Sequence, residues 1–202
     1  MPNEASPEVF SISSVPLPDA AFEPIMGYFV GATRAQGICT CSQFQLDDSN
    51  PDTVRDTLSL VGTQFFWTCA NQMNAITYSS HANVYIYELL QGCTYTDNLN
   101  DPLCTEPGKV CHEDDLPLVF GTCSNPTSQQ LAMSQEIIGR WTSFAANGNP
   151  NIPGATQWSK IGGSSNLNVL RMSPTDVVNT TLYPNVCGPI FGGSIPFNFQ
   201  IF

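Results

Sequence analysis

From Asn50 onward the apolar positions fall into readable periods. In "NPDTVRDTLSLVGTQFFWTCANQMNAITYSS" the residues Leu58, Val61, Phe65, Cys69, Met73 and Ile76 recur at steps of three and four, which marks one helix face. Asp52 or Thr53 is the expected N-cap, and the length predicts two consecutive helices or one that bends near Gly62. The next stretch, "NVYIYELL" at 83–90, is short, aromatic and continuously apolar, as a strand buried on both faces would be. A helix running closely into such a strand predicts an α/β sheet. The polar run "QGCTYTDNLNDPLCTEPGK" then reads as a long loop. Loops of that length inside a domain are functional or cross-linked, and Cys93, Cys104 and Cys111 lie in or beside it.

Farther on, "SNPTSQQLAMSQEIIGRWTSFAANGNPN" predicts a helix capped by Asn125, with Pro126 in its first turn and Gly148 after its end. Its core stripe is expected to be Leu131, Ile138, Trp141 and Ala145, with Ile137 and Phe144 beside it. The stretch "TQWSKIGGSSNLNVLRM" predicts a hairpin around Gly162-Gly163. Residues 1–52, rich in Pro, Ser and Asp with one apolar patch "FEPIMGYFVGA", are expected to be an irregular N-terminal segment. The domain proper is then 53–202.

Composition narrows the function classes. The 202 residues are 42% apolar and only 11% charged, which argues against disorder, and no apolar run is long enough to span a bilayer. Six Lys and Arg face seventeen Asp and Glu, a formal charge of -11 that repels phosphate backbones and argues against nucleic-acid binding. Eight cysteines without any C-x-x-C pair predict disulfides and an extracellular, oxidising setting rather than zinc. Asn179-Thr180-Thr181 is a glycosylation sequon and so a candidate acceptor. The opening "MPNEASPEVFSISSVPLPDA" has no apolar signal-peptide core, so the chain is expected to be a truncated product of a longer one.

The chemistry centres on "VCHEDDLPLVFG" at 110–121, which holds one of only two histidines. His112 has three readings: metal ligand, surface residue of an acidic loop, or catalytic base. Adjacent residues such as Cys111, His112, Glu113 and Asp114 rarely converge on one ion, so no metal site and no cofactor are expected. His81, in the "SSHAN" turn, reads as a surface residue. Trp67, Trp141 and Trp158 read as packing, and "LDDSNPD" lacks the ligand glutamate of a calcium loop.

On these residues the chain resembles the C-terminal portion of the type-B carboxylesterase family, the cholinesterase-like α/β hydrolases. The family's histidine segment has the form H-x-x-E-L/I-x-F/Y-V-F-G, here "HEDDLPLVFG", with Asp115 at the glutamate. Its W-x-x-F-A-x-x-G-x-P-N helix end is matched by "WTSFAANGNPN". "GTQFFWTCANQ", "NVYIYEL" and Cys187 in "YPNVCGPIFGG" follow in family order, over about residues 53–190.

The resemblance implies an α/β-hydrolase fold whose sheet is incomplete in this chain, and His112 as general base of a Ser-His-acid triad. It implies a Cys69–Cys187 bond, because the equivalent cysteines are joined in cholinesterases. Asp115 is expected to support the loop through backbone hydrogen bonds, and Glu113 and Asp114 to face solvent, since acids aimed at an imidazole hold its proton. No G-x-S-x-G elbow and no H-G-G-G-type loop occur in the sequence. Nucleophile, oxyanion loop and triad acid are therefore expected upstream, and association with that missing part of the fold follows. The resemblance thus implies part of a secreted carboxylic-ester hydrolase acting on an ester substrate. The alternative is a catalytically inactive cholinesterase-like interaction module.

Overall fold

The computed structural model describes residues 3–163, 166–173, 178–181, 187 and 191. The chain divides into two compact units, one joining Met1–Glu4 to Asn71–Leu182 and the other joining Ala5–Ala70 to Tyr183–Phe202.

In the second unit the expected irregular region is helical. It contains α1 (Ser6–Ile12), α2 (Phe22–Val30) and α3 (Ala32–Thr40), followed by α4 (Thr53–Gly62). These helices are too short to persist alone and are held by burial of one face each. In α2 that face is Phe22, Met26 and Val30, one residue per turn. They share a core with Ile38, Phe44, Val54 and Val61. Proline- and serine-rich flanks obscure this four-residue spacing in the sequence.

At Thr63 the helix after α4 widens into a π-helical segment, Thr63–Cys69, before α5 (Ala70–Ser79). The wider turn keeps Phe65 and Cys69 buried, whereas Met73, expected on the same face, is 40% exposed. Asp52 does precede α4, but its carboxylate binds Arg55 Nε at 2.6 Å and caps no backbone N–H. Cys69 is joined to Cys187. A cavity of about 880 Å³ opens among these helices, lined by Val9, Ile25, Phe29, Val61, Phe66 and Trp67 among others. Trp67 thus faces a cavity rather than filling a core.

The first unit is built on a three-stranded sheet in the order β1 (Ile86–Leu89), β2 (Asn168–Met172), β3 (Val178–Thr181). β1 and β2 run parallel with Leu89 opposite Met172, and β3 returns antiparallel with Val178 opposite Arg171. The connection between the parallel strands carries the short turns α6 (Pro102–Thr105) and α7 (Leu116–Val119) and the long helix α8 (Ser128–Asn147). Leu89, Leu170 and Met172 meet Leu118, Met133, Ile137 and Trp158 in the core. Within β1 only Ile86 and Leu89 are buried, while Tyr87 and Glu88 are half-buried.

Among the described residues no strand leads into Gly162-Gly163, where a hairpin was expected. Gly162 N–H donates to Asn166 O at 3.0 Å. Instead, Ile161 N–H donates to Val84 O at 3.0 Å and the Trp158 indole N–H donates to Ile86 O at 2.9 Å.

Helix α8 departs from expectation at its cap and on its buried face. Thr127, not Asn125, is the N-cap, in a reciprocal box with Gln130: the Thr127 hydroxyl accepts from Gln130 N–H at 3.2 Å and Gln130 Oε1 accepts from Thr127 N–H at 3.0 Å. Gly148 ends the helix at φ 72°. The buried face is Met133, Ser134, Ile137 and Arg140, while Leu131 and Ile138 are 52% and 39% exposed. Arg140 is buried because its guanidinium donates to Glu136 Oε1 at 2.8 Å and to Thr156 O at 2.7 Å. Counting apolar residues sends such an arginine to solvent and turns the helix the wrong way.

Thr127→Ala should cost about 1 kcal/mol through loss of the cap. Asn125→Gly, at a φ of 49° that glycine accepts readily, should cost less than about 0.5 kcal/mol. Thermal melts of the two variants check the order.

Candidate functional site

His112 lies in the loop between β1 and α7, and two disulfides fasten that loop, Cys93–Cys123 and Cys104–Cys111. Cys111 O accepts Asp114 N–H at 3.2 Å, which closes a four-residue turn with His112 and Glu113 at its centre. Glu113 sits at φ 67°, a left-handed conformation that costs a non-glycine residue roughly 1–2 kcal/mol.

Asp114 was expected at the surface and is 1% exposed. Its Oδ1 accepts from Tyr95 N–H at 2.7 Å and from Asn98 Nδ2 at 2.9 Å, and its Oδ2 from Cys111 N–H at 2.8 Å. Burial pushes its carboxyl above the usual range, against these donors, which pull it down. The physical reason for the reversal is this set of inward N–H groups, which a surface carboxylate could not satisfy.

Asp115 was expected to support the loop through backbone hydrogen bonds. Its carbonyl accepts Val119 N–H at 2.9 Å in α7, and its side chain also accepts the Tyr87 hydroxyl at 3.1 Å and so ties the loop to β1. Burial, then the carboxylates of Asp115 and Glu4, push the Tyr87 phenol well above its ordinary value.

A carboxylate that sequence reasoning missed reaches the imidazole. Glu4 Oε2 lies 2.8 Å from His112 Nδ1, with the Glu4 side chain 7% and the His112 side chain 41% exposed. The backbone explains the meeting. Asn3 forms a parallel bridge with Cys111, and its N–H donates to Val110 O at 3.1 Å. In parallel register the next residue on each side is brought abreast, Glu4 beside His112. In the tautomer in which Nδ1 donates to the Glu4 carboxylate, Nε2 is the ring nitrogen that bears the lone pair. An imidazole so oriented can take a proton at Nε2 while the charge it acquires is balanced at Nδ1. No local pattern marks Glu4 in the sequence, because the contact joins residues 108 apart.

The other expected residues are placed as follows. Asn179 lies on β3 opposite Leu170. His81 is exposed in the turn after α5. Asp101 lies against Cys104 and Cys111, whose sulfurs are joined and offer no thiolate to a cation. Cys39 and Cys41 are thiols, and burial followed by nearby Glu23 raises the Cys39 thiol above its usual value.

Gly92 has a specific reason to be glycine. A Cβ there would lie 2.6 Å from Asp114 Cβ and 2.9 Å from Asp114 O, and the adjacent Cys93 N–H donates to that same oxygen at 3.0 Å. Gly92→Ala should therefore displace the histidine turn and cost about 2–3 kcal/mol. Thermal melts measure the cost, and hydrogen exchange at Cys93 N–H locates it.

Comparison with known proteins bears on this geometry. Rat (Rattus norvegicus) acylcarnitine hydrolase is 33% identical over 84 residues, which cover 39% of this chain and 14% of that protein. Human (Homo sapiens) cocaine esterase is 30% identical over 100 residues, covering 47% and 17% respectively. Venom carboxylesterase-6 of Apis mellifera is 32% identical over 123 residues, covering 60% and 20%. The matches thus span 14–20% of these relatives' lengths.

A solved thermophilic PNB esterase superposes with a TM-score of 0.64 at 16% identity, over 88% of this chain and 34% of its own. That likeness gives the fold: part of an α/β hydrolase, mostly helical with a small piece of the sheet. The family model that matches residues 32–188 takes in the histidine turn, the strand before it and both cysteines of the long disulfide, and by it this chain belongs to the carboxylesterase family.

Proposed function

We propose that the chain is part of a secreted serine-type carboxylic-ester hydrolase, with His112 as general base and Glu4 as the triad acid. The 2.8 Å approach of Glu4 Oε2 to His112 Nδ1 carries this reading. His112 Nε2 takes the proton of a serine hydroxyl as that oxygen adds to the ester carbonyl. It then returns the proton to the leaving alcohol as the tetrahedral intermediate collapses, and water repeats the sequence on the acyl-enzyme. Serine and oxyanion donors come from outside these 202 residues, which hold no G-x-S-x-G. On this reading the part bearing them packs against this chain and completes the sheet. On this reading the acid, which the resemblance implied upstream with them, is instead Glu4.

The three disulfides support an extracellular site of action, and Asn179 is then a glycosylation acceptor.

The test is to treat native material containing the chain with a serine-directed fluorophosphonate and to identify the labelled polypeptide. The labelled serine should be recovered on the same polypeptide as these residues, or on one that stays bound to them. If the chain is isolated intact with no labelled serine attached, the inactive interaction module becomes the better reading.

A further inference from the structure

We infer that Asp114 is a positioning residue for His112, acting through the backbone turn that carries the imidazole. This rests on the reading of His112 and Glu4 as base and acid. The Asp114 carboxylate gathers the Cys111 N–H at 2.8 Å, the Tyr95 N–H at 2.7 Å and Asn98 Nδ2 at 2.9 Å. The same Asn98 Nδ2 donates to His112 O at 2.6 Å, and Asn98 is 3% exposed. One buried carboxylate thus fixes the residue before the histidine directly and the histidine's own carbonyl through Asn98.

The turn is clasped twice, because Asp114 N–H returns to Cys111 O at 3.2 Å while Cys111 N–H goes to the Asp114 side chain. Glu113, between His112 and Asp114, is held at a positive φ, which the clasp imposes. Two further facts make the site specific for a carboxylate. Three N–H donors converge on both oxygens, and an amide of the same size would turn its NH₂ toward one of them. Gly92 leaves the space in which the Asp114 backbone sits. Displacing this clasp would swing the imidazole away from Glu4, since a shift at the backbone of His112 is carried directly to Nδ1.

The chain's two histidines make the test direct, with exposed His81 as an internal reference. Long-range proton–nitrogen spectra of the native protein, with histidine labelled within these 202 residues only, report which ring nitrogen carries the proton. Wild type should show His112 as the Nδ1–H tautomer with a downfield Nδ1 proton. Asn98→Ala, which leaves Asp114 in place, and Asp114→Asn should each broaden or abolish that proton and mix the tautomers. His81 and the amides of α8 should stay unchanged.

If Asn98→Ala lowers the melting temperature but leaves the His112 proton and tautomer as in wild type, Asp114 only stabilises the loop and the inference is overturned. The underlying reading is tested separately by Glu4→Gln, which should remove the downfield proton. A His112 signal indifferent to Glu4→Gln overturns the acid–base pair itself, and the positioning role with it.

Discussion

If the proposed pairing of Glu4 with a catalytic His112 holds, Glu4→Gln in the native protein carrying this chain should lower ester-hydrolysis kcat/KM about 10³–10⁴-fold with little change in melting temperature. A neutral amide can offer its oxygen to Nδ1–H, but it does not balance the positive charge that the ring acquires at the transition state. With its NH₂ turned to the ring, the imidazole takes the opposite tautomer and presents Nε2–H where a lone pair is needed. Either outcome falls on the chemical step, so kcat should drop while KM holds. Burst kinetics with a chromogenic ester separate acylation from product release. A variant within about threefold of wild type would show that Glu4 is not the base's partner. Because Glu4 is buried against the loop, a circular-dichroism melt belongs beside the kinetics, so that an unfolded variant is not taken for an inactive one.

Removing the Cys69–Cys187 bond, as Cys69→Ala/Cys187→Ala, should cost about 4–5 kcal/mol. The cysteines are 118 residues apart, and a loop of that length gains much conformational freedom in the unfolded chain when it is opened. Cys69 is fully buried at the end of the π-helical segment, beside Phe65. Phe191, four positions past Cys187, packs on the Phe65 ring with centroids 5.3 Å apart. Loss of the bond thus also frees a residue that belongs to this core. The melting temperature should fall by roughly 10–20 °C. Cys104→Ala/Cys111→Ala is the natural control. Its seven-residue separation predicts only about 2–3 kcal/mol, and a reversed order would mean that native-state packing, not loop closure, sets the value.

The sequence made some of this legible and hid the rest for identifiable reasons. α4, β1 and the C-terminal end of α8 follow from local period and a C-terminal glycine, both of which lie within a few residues. The three helices before residue 41 do not, because each turns only two or three times and is fixed by neighbours rather than by its own pattern. The face of α8 was misread because Arg140 is buried by ion pairing and hydrogen bonding, which hydrophobicity does not register.

The histidine turn was legible as a motif, but its surroundings were not. Three adjacent acids look alike in sequence, yet Glu113 occupies a strained turn position, Asp114 gathers three inward donors and Asp115 takes a tyrosine hydroxyl. Glu4 could be found only by knowing that Asn3 pairs with Cys111.

The uneven use of the eight cysteines gives the chain a built-in counter. Cys39 and Cys41 are partly exposed thiols, and the other six are locked in pairs. In the folded protein these 202 residues therefore take up two alkyl groups, and each opened bridge adds two more, up to eight when the segment is reduced and unfolded. Intact mass after a short alkylation pulse then reads, molecule by molecule, how many bridges have been lost at each stage of reduction. Peptide mapping of the species with four groups identifies the first bridge to open. Because burial, then nearby Glu23, holds the Cys39 thiol above its usual value, alkylation near neutrality should be slow at that position.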